Sequence, residues 1–307
     1  MTDILIVGTG AMALLFAGRL AAAGVKVSML GTWKEGINAI RQYGVRIINA
    51  AEENSYPVDV TADIREIKKP LFALVLVKSW QTKRAAGQLK EVMHPDSVAL
   101  TLQNGLGNLA VLNDILGEKR TAQGVTTYGA TLLAPGLVRQ GGEGVITLGI
   151  HPRLSPLKVC LREAGFSIHE TTDLSSLVWS KLIINAAINP LTALLGVMNG
   201  DLLESRAAKK IMSSAAEEVA SVASAKGIKL IFKDPTLAAE EVASATSGNI
   251  SSMLQDIKRR SPTEIDAICG EIVREGKRLN IPTPVNSLLF QLVLSQVELY
   301  GKNYENS

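Results

Sequence analysis

Between positions 179 and 193 the chain reads WSKLIINAAINPLTA, an apolar run that carries Lys181, Asn185 and Asn189. On an α-helix their i, i+4, i+8 spacing aligns them in one polar stripe. Leu182, Ile183, Ile184, Ala186, Ala187 and Ile188 surround the stripe and read as buried. Polar groups set in an apolar interior are costly unless they find partners. Either the partner is a bound ligand, or the stripe belongs to a polar network between packed helices. In the first case an ammonium could protonate an oxygen and stabilise the charge developing on it. Pro190 leaves the Ala186 carbonyl without its helical donor and predicts a kink, serving either packing alone or the aim of Asn189.

Other chemistries find less support. His94, His151 and His169 show no HxxxH or HExxH spacing, and Cys160 and Cys269 lack metal-ligand spacing, so no metal site is expected. The two cysteines read as reduced structural thiols of a cytoplasmic protein. No GxSxG elbow is present. The chain of 307 residues is 47% hydrophobic and 20% charged, with a net charge of +3 from 32 basic and 29 acidic residues. That balance argues against a nucleic-acid partner, and Lys258, Arg259 and Arg260 read as solvated surface. The apolar N-terminus has Asp3 where a signal peptide would be basic, and Lys181, Asn185 and Asn189 interrupt the one span near membrane length. No membrane partner is expected.

A second constellation stands at the start. Gly8-Thr9-Gly10-Ala11-Met12-Ala13 follows an apolar strand and opens a helix, as the fingerprint GxGxx(G/A) requires. Gly8 permits a tight turn, Gly10 a close backbone approach to a pyrophosphate, and Ala13 close helix–strand packing. The helix N-terminus offers free N–H groups to the phosphates. The alternative is a glycine turn driven by packing. The second strand ends in Leu30-Gly31-Thr32-Trp33-Lys34, with no acid for a ribose diol before Glu35. A hydroxyl and a cation suit a 2′-phosphate, which points to NADP with Thr32 and Lys34 as its contacts.

These groups need a scaffold. Strands are expected at 3–7, 25–30, 71–77 and 98–102, with helices from the glycine turn to about 23 and at 34–43, which gives an α/β parallel, doubly wound sheet. Residues 121–149, rich in glycine, read as antiparallel strands and turns, followed by a helix at 156–164 and a strand at 166–169. From 174 the pattern is helical, with helices at about 174–195, 207–226, 236–246, 263–279 and 284–300. The expected domains are 1–170 and 171–307, with a ligand in a cleft between them. Glu217 and Glu218 read as solvated, with Glu218 a possible partner of Lys78. The segment 287–299 is either core or a homodimer contact.

With VKSWQ at 77–81, QNGLGN at 103–108 and NISSMLQDIKRRSPTEID at 249–266, the fingerprint and the stripe together resemble the ketopantoate reductase (2-dehydropantoate 2-reductase) family over nearly the whole length. The resemblance implies a Rossmann-type NADP-binding domain followed by an all-helical C-terminal domain of the 6-phosphogluconate dehydrogenase C-terminal type. It also implies NADPH-dependent reduction of 2-dehydropantoate to (R)-pantoate, on the route to pantothenate and coenzyme A. By the same resemblance Lys181 is the general acid, and Asn185, Asn189, Asn199 and Asn249 bind substrate. Ser252 holds its carboxylate, Glu264 bonds its hydroxyl, Asn104 lies near the nicotinamide, and Lys78 lies at the cofactor. Without the resemblance, Asn249, Ser252 and Glu264 read as helix-cap and first-turn residues. Many members carry an arginine after the second strand, where this chain has Gly31-Thr32. The alternatives are a reductase of another branched 2-oxo acid and a non-catalytic NADPH-binding sensor.

Overall fold

The computed structural model describes residues 3–49 and 52–305, with side chains through residue 299. The chain divides into two compact units. The first runs to Gln103 and resumes over Asn108–Leu174, and the second takes Asn104–Gly107 and the chain from Ser175 onward.

The first unit contains β1 (Ile4–Val7), α1 (Ala11–Ala22), β2 (Val27–Leu30), α2 (Lys34–Tyr43), β3 (Val45–Asn49), β4 (Glu52–Tyr56), β5 (Asp59–Thr61) and β6 (Phe72–Val75). It continues with α3 (Thr82–Val92), β7 (Val98–Thr101), α4 (Asn108–Leu116), β8 (Thr121–Thr126), β9 (Ala130–Ala134), β10 (Leu137–Gln140), β11 (Val145–Gly149), α5 (Ser155–Glu163) and β12 (Ser167–Thr171). Eight strands form one sheet in the order β12-β11-β8-β7-β6-β1-β2-β5. Its central strands β1, β6 and β7 (ILIV, FALV, VALT) are buried at every residue, as a sheet covered on both faces demands.

The strands expected in parallel, β1, β2, β6 and β7, do pair that way, and the sheet as a whole is mixed. Neighbours from β5 to β8 pair in parallel, β11 runs antiparallel to β8, and β12 runs parallel to β11. A second sheet, β4-β3-β10-β9, includes two strands at 45–49 and 52–56 where none is expected from the sequence. It packs against α1 so closely that a side chain at Gly18 would strike Ile47 and Val45. Within 121–149 the pairs β9–β10 and β8–β11 are antiparallel as read, but β8 joins β7, and β10 joins β3, in parallel. The strand order reverses at β1, which lies between β2 and β6. Open sheets of this kind bind ligands at the carboxyl ends of the strands flanking that point.

The second unit is helical: α6 (Leu174–Leu195), α7 (Asp201–Glu204), α8 (Arg206–Ala225), α9 (Pro235–Ala245), α10 (Ser252–Lys258), α11 (Glu271–Leu279) and α12 (Pro284–Glu305). The helices α7 and α10 were not foreseen, and the expected helix at 263–279 is instead a π-helical turn, Asp266–Gly270, leading into α11. α6 runs through Pro190 without interruption and buries Trp179, Leu182, Ile183, Ala186, Ala187, Ile188 and Leu191 in the core of this unit. It is long and apolar enough to cross a membrane, but 67% of its most apolar window is buried inside the protein, which makes it a core helix.

Glu218 corrects another expectation. Glu217 is exposed, but the Glu218 carboxylate is half-buried and caps α12. It accepts hydrogen bonds from the backbone N–H of Val285 at 2.7 Å and of Asn286 at 2.8 Å, and from Asn286 Nδ2 at 2.8 Å. These are the orphan donors of a helix N-terminus, where a negative charge also meets the positive end of the dipole. Burial and the Glu218 charge together push the thiol of Cys269 well above its usual range. Glu218→Ala is expected to cost about 2 kcal/mol in urea unfolding, since hydrogen bonds to a charged acceptor are among the stronger ones. A loss within ~0.5 kcal/mol, the range of ordinary surface substitutions, would show that the cap contributes nothing.

Candidate active site

In the first unit the glycine turn joins β1 to α1. Gly8 has φ +128, and a side chain there would meet the Leu76 carbonyl oxygen at 3.1 Å. Its own N–H donates to the Leu30 carbonyl at 2.8 Å, which ties the turn to the end of β2. Gly10 is the N-cap of α1 and provides no side-chain cap, so the first-turn N–H groups are left for another acceptor. Among the described residues outside its own neighbours, no atom lies within 4 Å of where a Gly10 side chain would begin. Ala13 is fully buried against the sheet, whereas Ala11 and Met12 are half-buried at the helix mouth. An uncapped helix N-terminus with open space at its second glycine fits the pyrophosphate of a dinucleotide.

Thr32 and Lys34, just beyond β2, are exposed. The Thr32 hydroxyl accepts a hydrogen bond from Arg84 Nη2 at 3.3 Å. Lys78 is half-buried and caps the short 3₁₀ turn Ser79–Gln81 that leads from β6 to α3. The VKSWQ and QNGLGN motifs are joined by Gln103, whose Nε2 donates to the Val77 carbonyl and to Thr82 Oγ1, both at 2.8 Å. Thr82, 1% exposed, donates in turn to Asn108 Oδ1 at 2.9 Å.

In the second unit the stripe on α6 is present as read. Lys181 and Asn185 are half-buried, and Asn189 is 8% exposed. Burial brings the Lys181 ammonium down from its ordinary value to about 8, and the charge of Glu264 acts in the opposite direction. Glu264 is itself 7% exposed and lies two residues before the π-helical turn. π-Turns often mark functional sites, because the extra residue re-aims the side chains around it. Asn185 Nδ2 is buried with no hydrogen-bond partner, and so is Asn199 Oδ1. Asn199 Nδ2 donates to Thr246 Oγ1 at 2.9 Å, and its backbone N–H donates to the Asn249 carbonyl at 3.0 Å. Asn104 is half-buried in the segment that docks on the π-turn through the Leu106 N–H and the Ala267 carbonyl, at 2.8 Å.

Asn249 and Ser252 are exposed, and the cap of α10 is Ser251 rather than either of them. Ser251 Oγ accepts from the Leu254 N–H at 3.1 Å and from Thr192 Oγ1 at 2.7 Å. Thr192, on α6, therefore pins the segment that carries Asn249 and Ser252 to the helix that carries Lys181. Sequence reading missed Thr192, Ser251, Thr246, Gln103 and Arg84. Gln103, Thr192 and Ser251 lie inside the motifs at 103–108, 179–193 and 249–266, and Thr192 also stands seven residues from Asn185 along one face of the helix.

A Rossmann-like sheet with a glycine turn ready for phosphate, followed by a helical unit that holds a lysine near neutral titration, defines an NAD(P)-binding oxidoreductase. The family profile Ketopantoate reductase PanE/ApbA matches residues 4–153, and Ketopantoate reductase PanE/ApbA C terminal matches residues 173–296. The chain belongs to this family. It is 33% identical to a 2-dehydropantoate 2-reductase of Pyrococcus horikoshii, over 97% of this chain and 98% of that one. Among solved structures it is similar to a PanE/ApbA family ketopantoate reductase from Ralstonia eutropha JMP134, with TM-score 0.92, 29% identity, 98% of this chain and 100% of that one covered. A D-mandelate dehydrogenase solved with NADH and anilino(oxo)acetate is also similar, with TM-score 0.92, 25% identity, and 98% and 100% covered.

The unpartnered amide nitrogen of Asn185 generates a prediction. If it is held for a ligand, Asn185→Ala removes a buried unsatisfied donor, so the apparent Tm should stay level or rise. Meanwhile KM for a small substrate bound there should rise by about tenfold, the cost of one hydrogen bond to a charged or polar ligand. A falling Tm with unchanged KM would make Asn185 a packing residue.

Proposed function

We propose that this protein is an NADPH-dependent 2-dehydropantoate 2-reductase, forming (R)-pantoate. The observation that carries the catalytic part is Lys181, an ammonium titrating at about 8 beside a buried carboxylate, with the unpartnered Asn185 amide one turn along. The substrate assignment is supported by the 33% identity to the Pyrococcus horikoshii enzyme over 97% of the chain.

The glycine turn, with Gly8, Thr9, Gly10, Ala11 and Met12, would hold the pyrophosphate on backbone N–H groups. Thr32 and Lys34 would face a 2′-phosphate, and Lys78 and Asn104 would flank the cofactor. When bound, the nicotinamide supplies the hydride. Lys181 hydrogen-bonds the substrate carbonyl oxygen and gives up its proton as negative charge builds there. Glu264 favours the protonated ammonium and accepts from the substrate hydroxyl. Asn185, Asn189, Asn199 and Asn249 orient the substrate, and Ser252, free at the surface beside the Ser251 cap, donates to its carboxylate. A site of this kind fits a sensor poorly, because a lysine buried at this cost is of use mainly to a reaction that consumes a proton.

The similarity to D-mandelate dehydrogenase supports a second reading, in which the same machinery reduces another branched or aromatic 2-oxo acid. Following NADPH oxidation with 2-dehydropantoate beside pyruvate, 2-oxoisovalerate and phenylglyoxylate separates the two. A kcat/KM highest for 2-dehydropantoate supports the first reading, and a higher value for any other acid replaces it.

Lys181→Ala should lower kcat by about 10²–10⁴, the range of a positioned proton donor, with little change in cofactor binding. In the wild type, the reduction rate should be level below pH 8 and fall as pH rises through the Lys181 value of about 8, since the acid form is then lost. The reverse oxidation should rise over the same interval. A pH profile flat to pH 10 would remove Lys181 as the acid.

A further inference from the structure

We infer that Arg84, on α3, supplies the cation that reads the 2′-phosphate of NADPH, in place of an arginine at the end of β2. The inference rests on the NADPH reading above and names the residue that would create the preference.

The end of β2 cannot carry that function alone. A side chain at Gly31 would collide with the side chain of Thr9, which is 6% exposed and fills that space from the glycine turn. The next residue, Thr32, presents only a short hydroxyl. Arg84 reaches it from 52 residues away in sequence, with Nη2 donating to Thr32 Oγ1 at 3.3 Å. A hydroxyl that accepts from Arg84 still has its own proton to give, so the pair presents an O–H and a guanidinium side by side. Lys34 follows at the first position of α2, exposed. Among the described residues neither Arg84 nor Lys34 forms an ion pair, so neither charge is neutralised by a carboxylate. The carboxylate just past β5, Asp63, is engaged by Arg65 at 2.5 Å.

The base of Arg84 is also held. Two residues earlier Thr82 is buried and fixed between Gln103 and Asn108, which anchors the first turn of α3. An anchored helix presenting a planar, always charged fork suits phosphate better than a flexible ammonium does. The absence of a ribose-binding acid after β2 and the presence of this fork select against a diol and for a phosphate at the same place.

The test measures dissociation constants for NADPH and NADH by intrinsic tryptophan fluorescence, and for 2′-AMP and 5′-AMP by calorimetry. The proteins are the wild type, Arg84→Ala and Arg84→Lys. Arg84→Ala should weaken NADPH and 2′-AMP by about 10- to 100-fold, the worth of a charged hydrogen bond, and leave NADH and 5′-AMP within about twofold. Arg84→Lys should recover part of the loss. The salt dependence of NADPH binding should become shallower in Arg84→Ala. If the wild type prefers NADPH and Arg84→Ala keeps that preference, Arg84 is a bystander and the NADPH reading stands without it. Equal weakening of all four ligands would make the effect structural and overturn the inference. If the wild type binds NADPH and NADH alike, the NADPH reading and this inference fall together.

Discussion

The second unit is organised around the cost of keeping an ammonium inside an apolar helix. Water solvates a lysine far better than Leu182, Ile183 and Ala186 can, and the fall of Lys181 to about 8 is a direct expression of that loss. A charge of opposite sign offsets part of that loss, and Glu264 provides it. A carboxylate that is 7% exposed is costly in its own right, so the two groups are worth burying only as a pair. Holding them together needs a backbone that delivers Glu264 to α6, and Glu264 lies two residues before the π-turn that begins at Asp266.

The same logic separates useful unsatisfied groups from incidental ones. Several buried polar atoms lack partners, among them Arg19 Nη1 and Arg46 Nε. Those belong to guanidinium groups whose other nitrogens are well bonded: Arg19 donates to the Ala164 and Gly165 carbonyls and lies over the Phe166 ring. Their deficit is a by-product of a rigid fork with five donors in a crowded place. Asn185 is different, because its whole amino group is idle on the same helix face as a perturbed lysine. The orphan N–H groups at the mouth of α1 are the backbone counterpart in the first unit, left without a side-chain cap at Gly10. Asn185 Nδ2 in the second unit and the uncapped turn at Gly10 in the first are thus the unpaired donors that a ligand could pair.

How much of this was legible in the sequence follows from the range of each interaction. The glycine turn, α2 and α6 were readable because their determinants lie within a few residues of one another, and α2 fell at Lys34–Tyr43 as expected. The second sheet was not. β3 alternates buried and half-buried residues, but its neighbour β4 is the polar run EENSY, which carries no periodic signal because its first four residues are exposed. Its existence depends on pairing with β3 and on the approach of α1, and neither is local. Glu218 looked like a solvated acid because the donors it caps lie 67 and 68 residues further along. Arg84 was invisible for the same reason, since its meaning comes from Thr32, 52 residues back. Ser251 and Ser252 differ by one position, and only the entry angle of α10 decides which of them is the cap.

The choice of lysine as the proposed proton donor also has a physical basis in this chain. Its histidines, the residues that titrate near neutrality unaided, all belong to the first unit, where His94 and His169 are exposed and His151 is half-buried. A lysine in water would be too weak an acid to match a reaction at neutral pH, because the best donors titrate near the working pH. Burial closes that gap. The apolarity that lets α6 pass as a membrane span by composition is thus the feature that tunes Lys181, by withdrawing solvent from its charge. A more polar helix would return the ammonium toward its ordinary value and slow proton release. Without Glu264 beside it the value would fall further. The value of about 8 lies between these limits.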